Sequence, residues 1–181
     1  MGLTSKTNLF SKLKGPVLIP VIIILAVTLP GCKVTYSFSG ASISQAVKTI
    51  NVQYFQNRAS LVQPWLSQYF TDELMDKCRA QTNLQFVNDF GDVNFEGEIA
   101  DYRTQPLTVS GNATAAMNRF TIAIRVKFTN TVEPEFSYDK TFSRYEDYSS
   151  SKILGEVEQE LSEKIIEQLI EDIFNEAFVN W

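Results

Sequence analysis

Alternation of apolar and polar side chains is clearest between residues 116 and 130. Five apolar side chains occupy every second position there: Phe120, Ile122, Ile124, Val126 and Phe128. A period of two predicts a β-strand with one face on the core and the other in water. Similar but shorter patterns, rich in β-branched and aromatic residues, predict four more strands. These are residues 47–55, 84–87, 93–109 and 135–146.

Two other stretches repeat their apolar residues with the period of an α-helix. In residues 60–80, an apolar side chain recurs every four positions (Leu66, Phe70, Leu74, Cys78), and Ser60 is the expected cap. Residues 153–178 carry two adjacent apolar rows, a stripe so wide that it must lie against another element. The element order predicts an α+β two-layer sandwich. Two helices pack on one face of a four- to five-stranded, mostly antiparallel sheet.

Single residues inside these elements carry their own predictions. Cys78 falls on the apolar row of the first helix and is expected to pack as a small hydrophobe. Gly97, in the middle of a strand, indicates a bulge or a close backbone approach. Phe174, Phe178 and Trp181 are spaced along one helix face and are interpreted as core. If that end of the helix is not buried, they would instead form a docking patch.

The amino-terminal part of the chain is a basic segment followed by an apolar run. Residues 1–16 contain three lysines and no acidic residue, and residues 17–29 are almost entirely apolar. These thirteen residues span roughly 20 Å as a helix, whereas the hydrocarbon core of a bilayer is about 30 Å thick. Residues 1–31 are therefore interpreted as an export signal and not as a stable membrane anchor.

The end of this run resembles a bacterial lipobox, with Leu29 at −3, Gly31 at −1 and Cys32 at +1. In proteins with that motif the cysteine sulfur carries a diacylglycerol, and the leader is removed just before the cysteine. Each buried CH₂ contributes about 0.8 kcal/mol, so several acyl chains hold a protein firmly at a membrane. Cys32 is the predicted lipidation site, residues 32–46 a tether, and residues 47–181 a single α+β domain. The alternative is an ordinary secretory signal with a chance cysteine.

Charge is distributed unevenly along the chain. Sixteen basic and 21 acidic residues give a formal net charge of −5 at pH 7, and the leader contributes only basic ones. Residues 153–181 hold eight acidic side chains and one lysine. This balance argues against a generic nucleic-acid binder.

Few residues are available for catalysis. The sequence has no histidine, which removes the commonest general base and the commonest metal ligand. Glu96 and Glu98 lie about 7 Å apart on one strand face, a spacing that suits a carboxylate pair, but the favoured interpretation is a solvated sheet face. We therefore expect a protein that is not an enzyme and has no metal site. We also expect no cofactor beyond the covalent lipid on Cys32.

Basic residues on the polar face of the predicted strand 116–130 form a candidate anion site. They are Arg119, Arg125 and Lys127, with Arg103 on the preceding strand. Guanidinium and ammonium groups bind phosphate, so such a patch on an acidic protein suits a phosphate-bearing ligand. The alternative is that these charges only prevent exposed strands from pairing with other chains.

Several segments, taken in their order and spacing, carry a family resemblance. They are residues 32–43, 47–58, 66–74, 81–84, 95–103, 119–128 and 173–181. Two examples are Phe95-Glu-Gly-Glu-Ile-Ala-Asp-Tyr-Arg103 and Arg119-Phe-Thr-Ile-Ala-Ile-Arg-Val-Lys-Phe128. Together these segments resemble the LptE family of lipopolysaccharide-assembly lipoproteins in its Bacteroidota form. The resemblance covers essentially all of the mature chain.

The resemblance implies a function as well as a fold. It implies two helices on a four-stranded sheet, in an outer-membrane lipoprotein on the periplasmic face. It further implies a non-enzymatic plug inside an LptD β-barrel that binds lipopolysaccharide and assists its assembly at the surface. Only Cys32 carries over by position, so Arg103, Arg119, Arg125 and Lys127 are a lipopolysaccharide-binding hypothesis drawn from the residues alone.

Two other functions stay open from the sequence. One is a lipid-anchored accessory subunit of another envelope lipid-transport system of the ABC type, whose partner would be an inner-membrane permease. The other is an anchored hydrolase that uses Glu96 and Glu98, against which the missing histidine argues.

Overall fold

A computed structural model describes residues 43–61, 63–107 and 116–179. Cys32 and Trp181 lie outside the described residues. Within them the chain forms six strands, two helices and one 3-10 turn. In chain order these are β1 (Thr49–Val52), β2 (Gln56–Asn57), α1 (Pro64–Gln81), β3 (Gln85–Phe86), β4 (Val93–Leu107), β5 (Met117–Asn130), the 3-10 turn (Pro134–Phe136), β6 (Tyr138–Ser149) and α2 (Leu154–Phe178).

The strands form one open sheet with the order β3-β1-β4-β5-β6, and β2 pairs with β4 beyond the end of β1. The long strands pair antiparallel, β4 with β5 and β5 with β6. The short strands pair parallel, β1 with β3 and with β4, and β2 with β4. The predicted α+β sandwich is confirmed, with a mixed rather than mostly antiparallel set of pairings and two more short strand pieces than the family fold implies.

The predicted strand 47–55 is divided because Phe55 leaves the sheet and enters the core. Its side chain is fully buried, and its ring meets that of Phe70 on α1 edge to face at 4.9 Å. Its backbone N–H donates to Thr71 Oγ1 over 3.2 Å instead of to a neighbouring strand. Opposite lies Gly97, where a Cβ would collide with the Phe55 ring and with the Arg125 carbonyl oxygen. The predicted close approach at Gly97 is confirmed.

A bulge at Ala100 changes which side chains of β4 face the helices. Ile99 pairs with Ile124, but Asp101 pairs with Ala123, so Ala100 has no opposite residue. The predicted alternation holds up to Ile99. Beyond the bulge the phase shifts, and Tyr102 turns into the core.

Both helices cover the same face of the sheet. The predicted row of α1, which includes Cys78, is fully buried. The helix begins at Pro64 with Gln63 as its cap residue, so the expected Ser60 cap is wrong; proline fits the first turn because its missing N–H has no partner there. Gln63 donates to Glu158 Oε1 over 2.8 Å, and Lys77 near the other end of α1 pairs with Glu171. The two helices therefore run side by side in the same direction.

The carboxyl-terminal part of α2 completes the core. Phe174 and Phe178 are 1% and 0% exposed, and Phe178 packs edge-on against Phe95 and Phe128. Their interpretation as core is confirmed and excludes them from a docking patch. Burial also raises the pKa of the Cys78 thiol to about 12, which keeps it protonated and unreactive at neutral pH.

Asp92 ties the start of β1 to the start of β4. Its carboxylate accepts hydrogen bonds from the backbone N–H groups of Lys48 and Thr49 over 2.8 and 2.9 Å. Its own N–H donates to Thr49 Oγ1 over 2.8 Å. These bonds favour the charged carboxylate, and the two backbone bonds are the main reason that the pKa of Asp92 is lowered.

We expect Asp92→Asn to lower the free energy of unfolding at pH 7 by about 1–2 kcal/mol, because the charge-assisted bonds become weaker. The folded-state pKa lies below the unfolded value of about 3.9, so the contribution is present above that value. It is lost as the pH falls through the folded pKa. Urea unfolding at pH 7 and pH 3 measures the difference, with exposed Asp89→Asn as the control. A difference that does not shrink in acid would contradict this account.

Candidate functional site

The side chains of β4, β5 and β6 that point away from the helices form a charged surface. The register places Arg125 between Glu98 and Thr141, and Lys127 between Glu96 and Asp139. We call Glu96, Glu98, Arg125, Lys127 and Asp139, with Arg58 at the end of β2, the central cluster. All but Arg58 line a shallow cavity of about 280 Å³ above the backbone of Gly97.

Every cation of the central cluster already contacts a carboxylate. Arg125 donates through Nε and Nη2 to the two oxygens of Asp139, over 2.9 and 2.8 Å. Lys127 lies 3.1 Å from Glu96, and Arg58 lies 3.2 Å from Glu98. The bidentate pairing raises the pKa of Arg125 and lowers that of Asp139. Three basic and three acidic side chains make the cluster neutral.

The other two predicted cations lie at a distance from this cluster. Arg119 is six residues from Arg125 along β5, or about 20 Å by strand rise. It donates to both oxygens of Asp147 over 2.8 and 2.9 Å and stacks on Tyr145, 3.5 Å from the ring centre. Arg103, on β4, pairs with Asp101. The four predicted residues thus share one face but form two groups, and their role in binding lipopolysaccharide stays a prediction.

The partners of these cations were not predicted from the sequence. Asp139 and Asp147 meet Arg125 and Arg119 only because β6 pairs with β5 in one register. That register depends on the turn between the strands, where the 3-10 turn delays the start of β6 to Tyr138, three residues after the predicted start. The available signal for these contacts was that charged side chains recur at alternate positions along both β5 and β6.

The carboxylate pair considered for hydrolysis is engaged in the same contacts. Besides Lys127, Glu96 accepts a hydrogen bond from Gln53 Nε2 over 2.9 Å. Glu98 is held by Arg58. Across the described part of the chain, His, Cys, Asp and Glu side chains form no group of three that would hold a metal ion.

A second surface lies on the opposite side of the molecule, between the outer faces of α1 and α2. This interhelix groove encloses about 600 Å³. Four uncharged residues also line it: Tyr69 is partly buried, Ala80 is exposed, and Ile166 and Ile170 are buried in the core beneath it. Its rim carries six carboxylates and two lysines: Glu73, Asp76, Glu160, Glu163, Glu167, Glu171, Lys77 and Lys164.

Acidic side chains converge on the phenol of Tyr69 at the centre of the groove. Burial, followed by the charges of Glu73, Glu163 and Glu167, raises the pKa of Tyr69. The sequence indicated the acidic face of α2 but not that Glu73 and Asp76 of α1 would join it. Both positions lie outside the buried row of α1, which was the signal that their side chains are on the surface.

Neither described helix is long and apolar enough to cross a bilayer.

Some solved structures resemble this chain at low identity. They include a minor lipoprotein from Acinetobacter baumannii, at 12% identity over 71% of this chain and 90% of that chain, with a TM-score of 0.47. Rare lipoprotein B from Shewanella oneidensis matches at 11% identity over 71% of this chain and 90% of that chain, with a TM-score of 0.39. PelC from Paraburkholderia phytofirmans matches at 8% identity over 76% of this chain and 94% of that chain, with a TM-score of 0.45. These scores lie below 0.5 and do not enter the family assignment.

Sequence comparison gives the family directly. Curated protein sequences contain no match to this chain. A family model described as LptE, lipopolysaccharide-assembly, matches residues 47–177. The match spans all six described strands, α1, and α2 up to its penultimate residue. The resemblance seen in the sequence is thereby confirmed, and the chain belongs to the LptE lipopolysaccharide-assembly family.

Proposed function

We propose that this protein is a lipid-anchored scaffold of the outer membrane that binds an LptD-like β-barrel and assists lipopolysaccharide assembly. The observation that carries the proposal is the match of the LptE model across residues 47–177, nearly the whole folded domain. The protein acts by binding and not by catalysis. The engaged carboxylates of Glu96 and Glu98 agree with such a role.

The proposal assigns a task to each part of the chain. Residues 1–31 are removed on export, and Cys32 carries the lipid that holds the protein on the periplasmic face of the outer membrane. Residues 32–46 are the tether, and residues 47–181 are the domain that enters the barrel. Ile43, within the proposed tether, already packs against the core, so the freely reaching part would be shorter than the full tether.

The outer sheet face and the interhelix groove differ in charge, since the groove carries more carboxylates than lysines whereas the central cluster on the sheet is neutral. This difference supports placing a phosphate-bearing ligand on the sheet face. The outer sheet face presents neutral clusters in which Arg125 and Lys127 are both more than half exposed. Each has N–H donors beyond those used by its carboxylate partner, since guanidinium carries five and ammonium three. We assign the phosphate groups of lipopolysaccharide to these free donors.

Co-purification tests the proposal most directly. We expect the full lipidated chain, extracted from its own cells in mild detergent, to carry a large β-barrel protein with it. Depletion of the chain should lower the amount of lipopolysaccharide that reaches the cell surface. Recovery of an inner-membrane permease and no barrel would favour an accessory subunit of an ABC-type lipid transporter instead. Cys32→Ser, which removes the lipid site, is the control for the anchor and should release the protein from the membrane fraction.

A further inference from the structure

We infer that a cavity at the β3 edge of the sheet binds the sugar residues of lipopolysaccharide. This edge cavity encloses about 510 Å³ between β1, the end of β3 and α1. The inference rests on the proposed function and deepens it, because it names a second part of the same ligand and the place that holds it.

The edge cavity exists because β3 ends early. β3 pairs only with Thr49 and Ile50, and no described strand continues it beside the rest of β1. The side chain of Asn51 blocks a longer ladder, since its Nδ2 donates to the carbonyl oxygens of Val87 and Asn88 over 2.9 and 3.2 Å. A gap is thereby left between β1 and the carboxyl-terminal half of α1.

The lining of the edge cavity combines aromatic rings with amide groups. Tyr54 is 53% exposed and Phe86 is half-buried, so both rings are accessible from the cavity. The guanidinium of Arg79 stacks on Phe86, 4.7 Å from its ring centre. The amides that line the cavity are those of Asn51, Gln53 and Asn88.

This lining matches the chemistry of a sugar ring. A pyranose carries C–H groups on its faces, which pack on aromatic rings, and hydroxyl groups at its edge, which donate and accept hydrogen bonds. Gln53 and Asn88 are exposed, and each amide has donors and an acceptor. Asn51 uses both amide hydrogens within the domain, so it offers the acceptor Oδ1. Accessible rings with a few placed polar groups are typical of small-ligand sites.

Other ligand classes fit the edge cavity less well. Arg79 is the only charged residue among the described ones that line it, and it already donates to Asp76 over 2.8 Å, so phosphate is held better at the central cluster. An acyl chain would leave the amides without partners. A peptide strand finds little backbone to pair with. The backbone bonds of β1 alternate between its two neighbours, so within β1 only Val52 directs its backbone groups into the gap.

Gln53 connects the edge cavity to the central cluster. It lines the cavity, and its Nε2 donates to Oε1 of Glu96 over 2.9 Å. Glu96 also lies 3.1 Å from Lys127, one of the two cations assigned to phosphate. The phosphate groups of lipopolysaccharide are attached to its sugars. One molecule therefore reaches both places.

Oligosaccharide binding to the purified full chain tests the inference. The probe is the oligosaccharide of the cells' own lipopolysaccharide, freed from lipid A by mild acid and from phosphate by hydrofluoric acid. We expect Tyr54→Ala to weaken binding by about tenfold, because a stacking ring is lost, and Arg79→Ala to weaken it as well. Phe90→Ala removes a ring that is 63% exposed and does not line the cavity, and it should bind as wild type does. Calorimetry measures the affinities.

Two further measurements identify the source of the sugar. Maltoheptaose, a glucan unrelated to lipopolysaccharide, should bind about tenfold more weakly than the probe, because the amides match one arrangement of hydroxyl groups. In living cells, a photo-reactive amino acid at exposed position 88 should yield an adduct with lipopolysaccharide. Barrel recovery by the wild-type chain is measured on the same preparation.

The remaining outcomes are decisive in different ways. If Tyr54→Ala and Arg79→Ala are folded by circular dichroism and bind the probe as wild type does, the inference is overturned and the proposed function stays intact. Equal loss in Phe90→Ala, or equal affinity for maltoheptaose, also overturns it. An adduct with protein alone from position 88 assigns the edge cavity to a protein partner instead. If wild type binds the probe selectively but recovers no barrel, the barrel-binding part of the proposed function fails and the sugar site is supported.

Discussion

Replacing Gly97 by alanine is expected to lower the free energy of unfolding by about 3 kcal/mol or more, the upper part of the range for overpacking. The added Cβ would collide with the Arg125 carbonyl oxygen and with the Phe55 ring. The carbonyl belongs to β5 in the middle of the sheet. The ring is buried against Phe70. Neither the carbonyl nor the ring can move away without breaking strand pairing or opening a cavity. The steric strain therefore cannot be relieved without a further loss of stability.

Chemical unfolding followed by circular dichroism measures the effect, and Gly155→Ala is the matched control. Gly155 lies in the first turn of α2, where a Cβ meets nothing within 4 Å. There alanine should raise stability by up to about 1 kcal/mol, because it favours the helix. Adding Phe55→Leu to Gly97→Ala should recover only part of the loss, since the Arg125 carbonyl remains. Wild-type stability of Gly97→Ala would contradict the close approach of Phe55 to β4.

Gly97 also links the core to the charged surface. The same stretch of β4 that admits Phe55 on its inner side carries Glu96 and Glu98 on its outer side, around the shallow cavity. A shift of β4 or β5 at this point would move Arg125 relative to Asp139. The core packing of one side chain therefore helps to set the geometry of the central cluster.

Periodicity predicted those elements in which a single pattern of apolar residues continues from one end of the element to the other. The alternation of β5 and the two apolar rows of α2 located a strand and a helix to within a residue at each end, because both elements bury one continuous face. Departures from a single repeat were not predictable. The bulge at Ala100 shifts the phase by one residue, and the only trace in the sequence is the spacing of three between Ile99 and Tyr102.

The parallel pairing of the short strands could not be predicted from the sequence for a different reason. β1 and β3 contribute four and two residues, too few to show which direction or neighbour they prefer. Their place is fixed by contacts distant in sequence, such as those from Asp92 to Lys48 and Thr49. The site was limited in the same way: the cations could be found from strand alternation, but their acidic partners required the register between two strands.

Two double substitutions in the central cluster are predicted to change the affinity for lipopolysaccharide in opposite directions. Glu96→Gln with Asp139→Asn removes the partners of Lys127 and Arg125 while keeping the size of the side chains. The cluster then gains two units of positive charge, and all N–H donors of both cations become available. We expect binding of purified lipopolysaccharide at low ionic strength to strengthen by about tenfold, which corresponds to about 1.4 kcal/mol.

Arg125→Glu with Lys127→Glu should do the reverse and weaken binding by more than about tenfold, because the cluster then repels phosphate. Lys48→Glu with Lys152→Glu makes the same change in net charge at two exposed lysines outside the cluster and should have little effect. Titration of purified protein with lipopolysaccharide at two salt concentrations separates the cases. Higher salt should reduce the difference between the variants, since both cations are more than half exposed. If lipopolysaccharide instead binds all three variants as it binds wild type at low salt, Arg125 and Lys127 serve only the sheet, and the ligand lies elsewhere on the domain.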